Sequence, residues 1–221
     1  VRYDGAHKYA AELVRRLGRR FELVPLCPEV AIGLGVPRPP MQLVGDPRHP
    51  RARVIEDPRR DHTARLAAYG RHVALALDDL CGYIFKSRSP SCGLARVPVF
   101  ARAGAARPRG RGRGIYAAAL LAGRPLLPAV EESALIDARA CEVFARQVLA
   151  YHRWRRLVAE GLTPARLRRF HLRHRPFARS VRDRRALDRL VSRLEIAAGR
   201  GAPAKLAERY LALLLRALGR R

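Results

Sequence analysis

Four cysteines, Cys27, Cys81, Cys92 and Cys141, are the side chains best suited to carry chemistry in this sequence. Cys27 opens the stretch C-P-E-V-A-I-G-L-G-V-P-R-P-P, and Cys92 lies in K-S-R-S-P-S-C-G. Thiolates suit soft metals, above all zinc and iron–sulfur clusters, and a cluster collects ligands from separated loops as readily as from one compact motif. Two buried structural cysteines would leave the same spacing, since cysteine is among the most buried residue types. The surroundings favour a site. Both residues stand among Pro, Gly and Ser, where a merely apolar cysteine gains little and small neighbours let backbone N–H groups approach sulfur. No C-x-x-C pair occurs, so a zinc ribbon or thioredoxin-type motif has no support. The four are also too few and too spread for a disulfide scaffold.

The elements that must position these cysteines can be read from periodicity and breakers. Residues 6–20 have a helical apolar face in Ala10, Leu13, Val14 and Leu17, and Gly18 marks an end. The run F-E-L-V-P-L (21–26) then reads as a short buried strand delivering Cys27 at its C-terminal edge, where open α/β sheets place ligands. Residues 33–60 are rich in Pro, Gly and Arg and are expected to be loop. A helix over 61–80 follows, with Leu66, Val73, Leu77 and Leu80 on one face, and then a strand over 82–86 that runs straight into the Cys92 loop. Both cysteines are thus expected just past strand ends.

A third strand is expected over 97–100. The G-R-G-R-G run (110–114) could cradle a phosphate, but no G-K-[ST] follows it and a flexible basic loop is the stronger expectation. A long helix over 138–160 comes next, after which the sequence turns almost wholly helical. Thr163 is a candidate N-cap with Pro164 in the first helical position. His171 and His174, three apart on that helix, share a face; no third ligand accompanies them, and they read as a helix-face pair without metal. The expected architecture is an α/β, three-layer open-sheet domain over 1–150, with its site loops at strand ends, and an all-helical domain over 151–221.

Composition bounds the function classes. With 221 residues and 48% hydrophobic content the chain can bury an ordinary core. No uninterrupted apolar run is long enough to span a bilayer, and no charged-then-apolar leader opens the chain, so no membrane association and a cytoplasmic location are expected. The net charge of +26 will attract polyanions non-specifically. Lysine occurs only at Lys8, Lys86 and Lys205, so the charge is almost all arginine. That bias fits a GC-rich genome better than selection for nucleic-acid binding.

Taken in order, R-Y-D-G (2–5), the Cys27 motif, K-S-R-S-P-S-C-G (86–93) and the P-L-L-P…E-E stretch from Pro125 resemble the 2-thiouracil desulfidase-like family. The resemblance spans roughly the first 150 residues. F-H-L-R-H (170–174) resembles the helical domain that follows this module in YbgA-like bacterial proteins. The resemblance implies a [4Fe–4S] cluster on three cysteines, with Cys27 and Cys92 as two metal ligands. The third would lie a few residues before R-Y-D-G, so the chain is expected to be N-terminally truncated.

It also implies non-redox desulfuration of a thiolated nucleobase or related thioamide, with sulfide as product. An open iron would act as Lewis acid toward the thiocarbonyl sulfur while water attacks the carbon. Glu29 matches the position of the proton-handling group. Ser89 matches a position that assists the water or binds the base, with Ser91 its near alternative, and Lys86 is the candidate to orient a substrate oxygen. Two departures bear on substrate preference and on the second domain. E-S-A-L (132–135) stands where E-G-R-L is usual, and Arg175 followed by Pro176 replaces the usual lysine and interrupts the helix. The competing reading is a basic nucleic-acid-binding protein with a structural or absent cluster.

Overall fold

The computed structural model describes residues 11–198 and 204–219. The R-Y-D-G element and the first part of the helix expected over 6–20 lie outside them. The chain divides into two compact units, one running to Pro125 and including Ala129–Ala138, the other formed by Leu126–Pro128 and the residues from Arg139 onward. An α/β unit is thus followed by helices. The boundary expected at 150/151 falls inside one continuous helix.

In the first unit, helix α1 (Ala11–Gly18) and the short α2 (Pro28–Ala31) precede a hairpin of β1 (Met41–Asp46) and β2 (His49–Val54). This hairpin corrects the loop expected over 33–60. Asp46 Oδ1 accepts the Arg48 N–H at 2.9 Å across the Pro47–Arg48 turn, and Ala52 and Val54 alternate inward along β2. Helix α3 (Thr63–Ala76) follows, stopping short of the expected Leu80. Next come β3 (Tyr83–Phe85), β4 (Val97–Phe100), β5 (Pro108–Gly112), α4 (Ile115–Gly123) and β6 (Ala129–Glu131). One sheet has the order β2-β1-β4-β5, in which β1 and β4 are parallel and the outer pairings antiparallel. A second sheet pairs β3 with β6 in parallel. Parallel neighbours need a crossover, which α3 supplies between β1 and β4 and α4 between β3 and β6.

Two more expectations are corrected. The G-R-G-R-G run is not a flexible loop: its first part is β5, the edge strand beside β4. Its glycines let the strand pass beneath the hairpin turn, for a Cβ on Gly110 would lie 2.6 Å from Pro47 Cγ. Residues 21–26 are not a buried strand. They join no ladder among the described residues, and Leu23 and Val24 are 36% and 75% exposed. An apolar run becomes a strand only where a neighbour takes up its backbone groups.

The core of this unit gathers Leu43, Ala52, Val97 and Val99 from the sheet around Ile32, Leu66 and Ile115. Helix α3 reaches α4 so closely at Gly70 that a Cβ there would stand 2.7 Å from the Tyr116 carbonyl oxygen.

The second unit consists of α5 (Ala138–Ala159), α6 (Pro164–His174), α7 (Val181–Ala198) and α8 (Ala204–Gly219). Thr163 caps α6 as expected, its side chain accepting the Arg166 N–H with Pro164 in the first turn. Pro176 ends that helix in a short 3₁₀ turn over Arg175–Phe177. Trp154, Phe170, Tyr210, Leu187 and Leu214 fill the core, with Trp154 against Phe170 and Tyr210 at ring distances of 5.2 and 5.3 Å.

Candidate active site

Cys27 follows residues 21–26, which belong to no helix or ladder among the described residues, and serves with extended backbone as N-cap of α2, with Pro28 in its first turn. That single turn sets Cys27 beside Glu29. The chain then bends at Gly33 and Gly35, whose φ values of 80° and 70° favour glycine. The bend returns Arg38 to the same place. Arg38 is buried, and its guanidinium donates from Nε to Glu29 Oε2 at 2.6 Å, from one terminal nitrogen to the Gly35 carbonyl at 3.0 Å, and from the other toward Cys27 Sγ at 3.7 Å.

The second loop leaves β3 at Lys86. Glu132 ties its start, accepting from the Ser87 N–H at 2.7 Å, from the Ser87 hydroxyl at 2.8 Å and from Lys86 Nζ. Glu131 ties its end through the Leu94 N–H at 2.8 Å. The N-terminus of α4 closes against the middle, where Gly114, Ile115 and Ala117 donate to the carbonyls of Gly93, Pro90 and Ser91. The acidic pair noticed in the sequence is therefore the clamp of this loop. Inside it, Ser89 Oγ accepts the N–H groups of Ser91 and Cys92 at 3.3 and 3.1 Å.

The two loops meet at one hydrogen bond. Ser91 Oγ, 1% exposed, donates to Glu29 Oε1 at 2.6 Å and lies 3.7 Å from Cys92 Sγ. Because the Ser91 proton is committed to Glu29, the 3.0 Å contact between the two serines has Ser89 as donor. A continuous chain results: Ser89 to Ser91 to Glu29, with Arg38 on the far carboxylate oxygen. Cys27 and Cys92 remain separate thiols at its two ends. Burial pushes the Cys92 thiol up to about 12; the Ser91 hydrogen bond opposes this, and the negative charges of Glu29 and Cys27 add to it. That mutual influence brings both cysteines and the carboxylate into one electrostatic neighbourhood.

Beside Cys92 stands a pair of phenols, the Tyr116 hydroxyl donating to the Tyr83 hydroxyl at 3.0 Å. Burial raises both phenols well above their ordinary range, and the nearby Cys92 adds to the effect on each.

Of the residues singled out in the sequence, Cys27, Glu29, Ser89, Ser91 and Cys92 come together. Lys86 is spent on Glu132 and does not enter the Glu29 network. Cys81 lies just ahead of β3 and Cys141 is buried in α5. Sequence reasoning missed Arg38, Tyr83 and Tyr116. Arg38 carried one usable signal: a cation in V-P-R-P-P, downstream of the only carboxylate in the Cys27 motif.

The family model described as 2-thiouracil desulfurase matches residues 1–132. The chain belongs to that family. The match takes in both cysteine loops and ends at the clamp residue Glu132. The chain is also 30% identical over 103 residues to the uncharacterized protein YbbK of Bacillus subtilis (strain 168), an alignment covering 42% of this chain and 64% of that relative. The chain thus spans under two thirds of that protein's length. No solved structure matches it.

Two thiols on separate loops, with hydroxyl and N–H donors around them, suit a thiophilic iron–sulfur group as far as this donor set goes. Among the described residues no three His, Cys, Asp or Glu side chains converge as a metal site, so a third ligand is not supplied by them. Among the same residues no helix is long and apolar enough to cross a membrane.

Proposed function

We propose that the protein catalyses non-redox desulfuration of a thiolated nucleobase or related thioamide in the cytoplasm, releasing sulfide. Cys27 and Cys92 would hold two corners of a [4Fe–4S] cluster, with a third ligand from outside the described residues. When bound, such a cluster supplies a Lewis acid for the thiocarbonyl sulfur. The observation that carries the reading is the Ser91–Glu29 hydrogen bond of 2.6 Å, which joins the two cysteine loops through one carboxylate.

Glu29 Oε1 is the proton acceptor of this reading. Water approaching the thiocarbonyl carbon gives it one proton as the new C–O bond forms, and that proton passes to sulfur; the remaining hydroxyl proton follows the same route as the C–S bond breaks, so a carbonyl and hydrogen sulfide replace the thiocarbonyl and water. Ser91 holds Oε1 between transfers, and Ser89, bonded to Ser91 and to the backbone beside Cys92, keeps that hydroxyl turned toward Glu29. The protonated phenols of Tyr83 and Tyr116 keep further negative charge away from Cys92.

Anaerobic reconstitution of the full-length protein with iron and sulfide, followed by a sulfide assay on 2-thiouracil, tests the reading. Cluster absorbance and sulfide release are expected, and Glu29→Gln lowers turnover by about 10²–10⁴-fold. Absence of a cluster after reconstitution refutes it, and a cluster without turnover rejects 2-thiouracil as the substrate.

A second reading, nucleic-acid binding, is favoured by the edge strand β5. Arg109 and Arg111 are exposed there and, two residues apart, share one face. Binding that vanishes by moderate salt with no preference among nucleic acids would reduce it to counterion release.

A further inference from the structure

The site contains a buried cation that neither the family match nor the proton-transfer chain accounts for. The Arg38 side chain is 4% exposed and its partner Glu29 12%. A charge withdrawn this far from water is costly unless its hydrogen-bonding groups are used, and Arg38 uses them on three acceptors at once. Each acceptor belongs to the Cys27 loop: the Glu29 carboxylate, the Gly35 carbonyl and the Cys27 sulfur. The Gly35 contact anchors the guanidinium plane to the bend that brings it back. Nε holds Oε2 at 2.6 Å, which leaves Oε1 no direction but toward Ser91. The remaining terminal nitrogen lies along the sulfur.

We propose that Arg38 is the positioning residue of this site. Its rigid fork sets the rotation of the Glu29 carboxylate, so that one oxygen stays free for the Ser91 side, and fixes that carboxylate relative to Cys27. Its effect on turnover rests on the desulfuration reading; its effect on geometry does not. Lysine brings the same charge as a single point on a flexible stem and cannot span three acceptors in one plane. Arg38→Lys therefore separates fork geometry from charge. Misplacing a reacting group by about 1 Å costs on the order of 10² in rate.

The test uses the full-length, anaerobically reconstituted protein, wild type beside Arg38→Lys, with a crystal structure of each. Arg38→Lys is expected to lower kcat on 2-thiouracil by about 10²-fold with KM changed less than about threefold, at unchanged iron content. In its crystal structure Glu29 Oε1 is expected to have left Ser91 Oγ. Turnover within about twofold of wild type at equal iron content overturns the proposal, as does a variant structure in which the Ser91–Glu29 hydrogen bond persists. Should the wild type carry its cluster and release no sulfide, 2-thiouracil is rejected as the substrate while the two crystal structures still decide the role of Arg38. Arg38→Ala with added guanidinium ion gives a second arm. Recovery of at least a tenth of wild-type kcat is expected, and no recovery in a folded, iron-loaded variant counts against the fork.

Discussion

His174 makes the stability of the helical unit depend on pH in a way one substitution can isolate. It occupies the last turn of α6, where the helix dipole would welcome a cation. Yet the residue is 4% exposed, its ring lies 4.5 Å from that of Phe170, and its Nε2 has no hydrogen-bond partner. Burial, reinforced by the positive charges of Arg153 and Arg173, drops the imidazole from 6.5 to about 4. The folded state thus refuses a proton that the unfolded chain accepts. Stability from this residue is intact above pH 6.5 and drains as pH falls toward 4, below which both states are protonated and the loss is complete. At about 1.4 kcal/mol per pH unit, that window amounts to about 3.5 kcal/mol once the loss is complete. His174→Phe keeps the ring packing and removes the titration. Urea denaturation followed by the fluorescence of Trp154, the only tryptophan and a neighbour of Phe170, reads out this unit. At pH 7.5 the variant should equal the wild type or exceed it by about 1 kcal/mol, because the orphaned nitrogen is gone. By pH 4, where the folded imidazole is half protonated, its advantage should have grown by about 3 kcal/mol of that total (about 1.4 kcal/mol per pH unit). Parallel stability curves for the two proteins across that range would refute the reasoning.

Three smaller perturbations probe the site loops and the helical cap. Gly114→Ala places a Cβ 2.5 Å from the Ser91 carbonyl oxygen and 2.7 Å from the Cys92 nitrogen, all backbone; a loss of about 1–3 kcal/mol by urea denaturation and abolished sulfide release are expected. Burial raises the Glu132 carboxyl, but hydrogen bonds from Lys86 and Ser87 outweigh it and hold the group below its usual range. The stability the clamp contributes is therefore complete above pH 4.5, and the clamp itself opens only as pH falls through the lowered pKa of the folded carboxyl, while in Glu132→Gln hydrogen exchange at the Ser87 amide should speed up even at neutral pH. Thr163→Ala removes the cap of α6 and should lower the urea midpoint seen by Trp154 by the equivalent of about 1 kcal/mol.

The fold was legible where local pattern and tertiary need agree. Thr163-Pro164 and Pro176 bound α6 because capping and the proline ring act within one turn. The strand over Val97–Phe100 is visible as an apolar run, and it is central in its sheet. Failures arose where a distant partner decides. Residues 21–26 have strand composition but no ladder among the described residues, while P-R-G-R-G has the composition of a loop yet pairs with β4, because Pro47 and Val99 need a strand without side chains beneath them. The hairpin inside 33–60 was hidden by its own prolines, one of which, Pro47, stands in its turn.

The site divides along the same line. The two cysteine motifs announce themselves because Pro, Gly and Ser are needed to bend a chain tightly around a thiol, and that need is local. What joins them is not local. Ser91 meets Glu29 across 62 positions of sequence, and the clamp from Glu132 reaches back 45 to Ser87. His171 shows the same limit in the helical unit, where its partners Tyr210 and Asp188 lie on α8 and α7. Arg38 is the instructive intermediate. It lies nine residues from Glu29, near enough to be noticed, but an arginine among 45 basic residues carries no mark of being the buried one. Proline and glycine neighbours alone do not mark it either, since Arg109 and Arg111 stand among them and are exposed; what takes Arg38 out of water is the bend at Gly33 and Gly35, which turns its guanidinium back onto Glu29 and the Gly35 carbonyl.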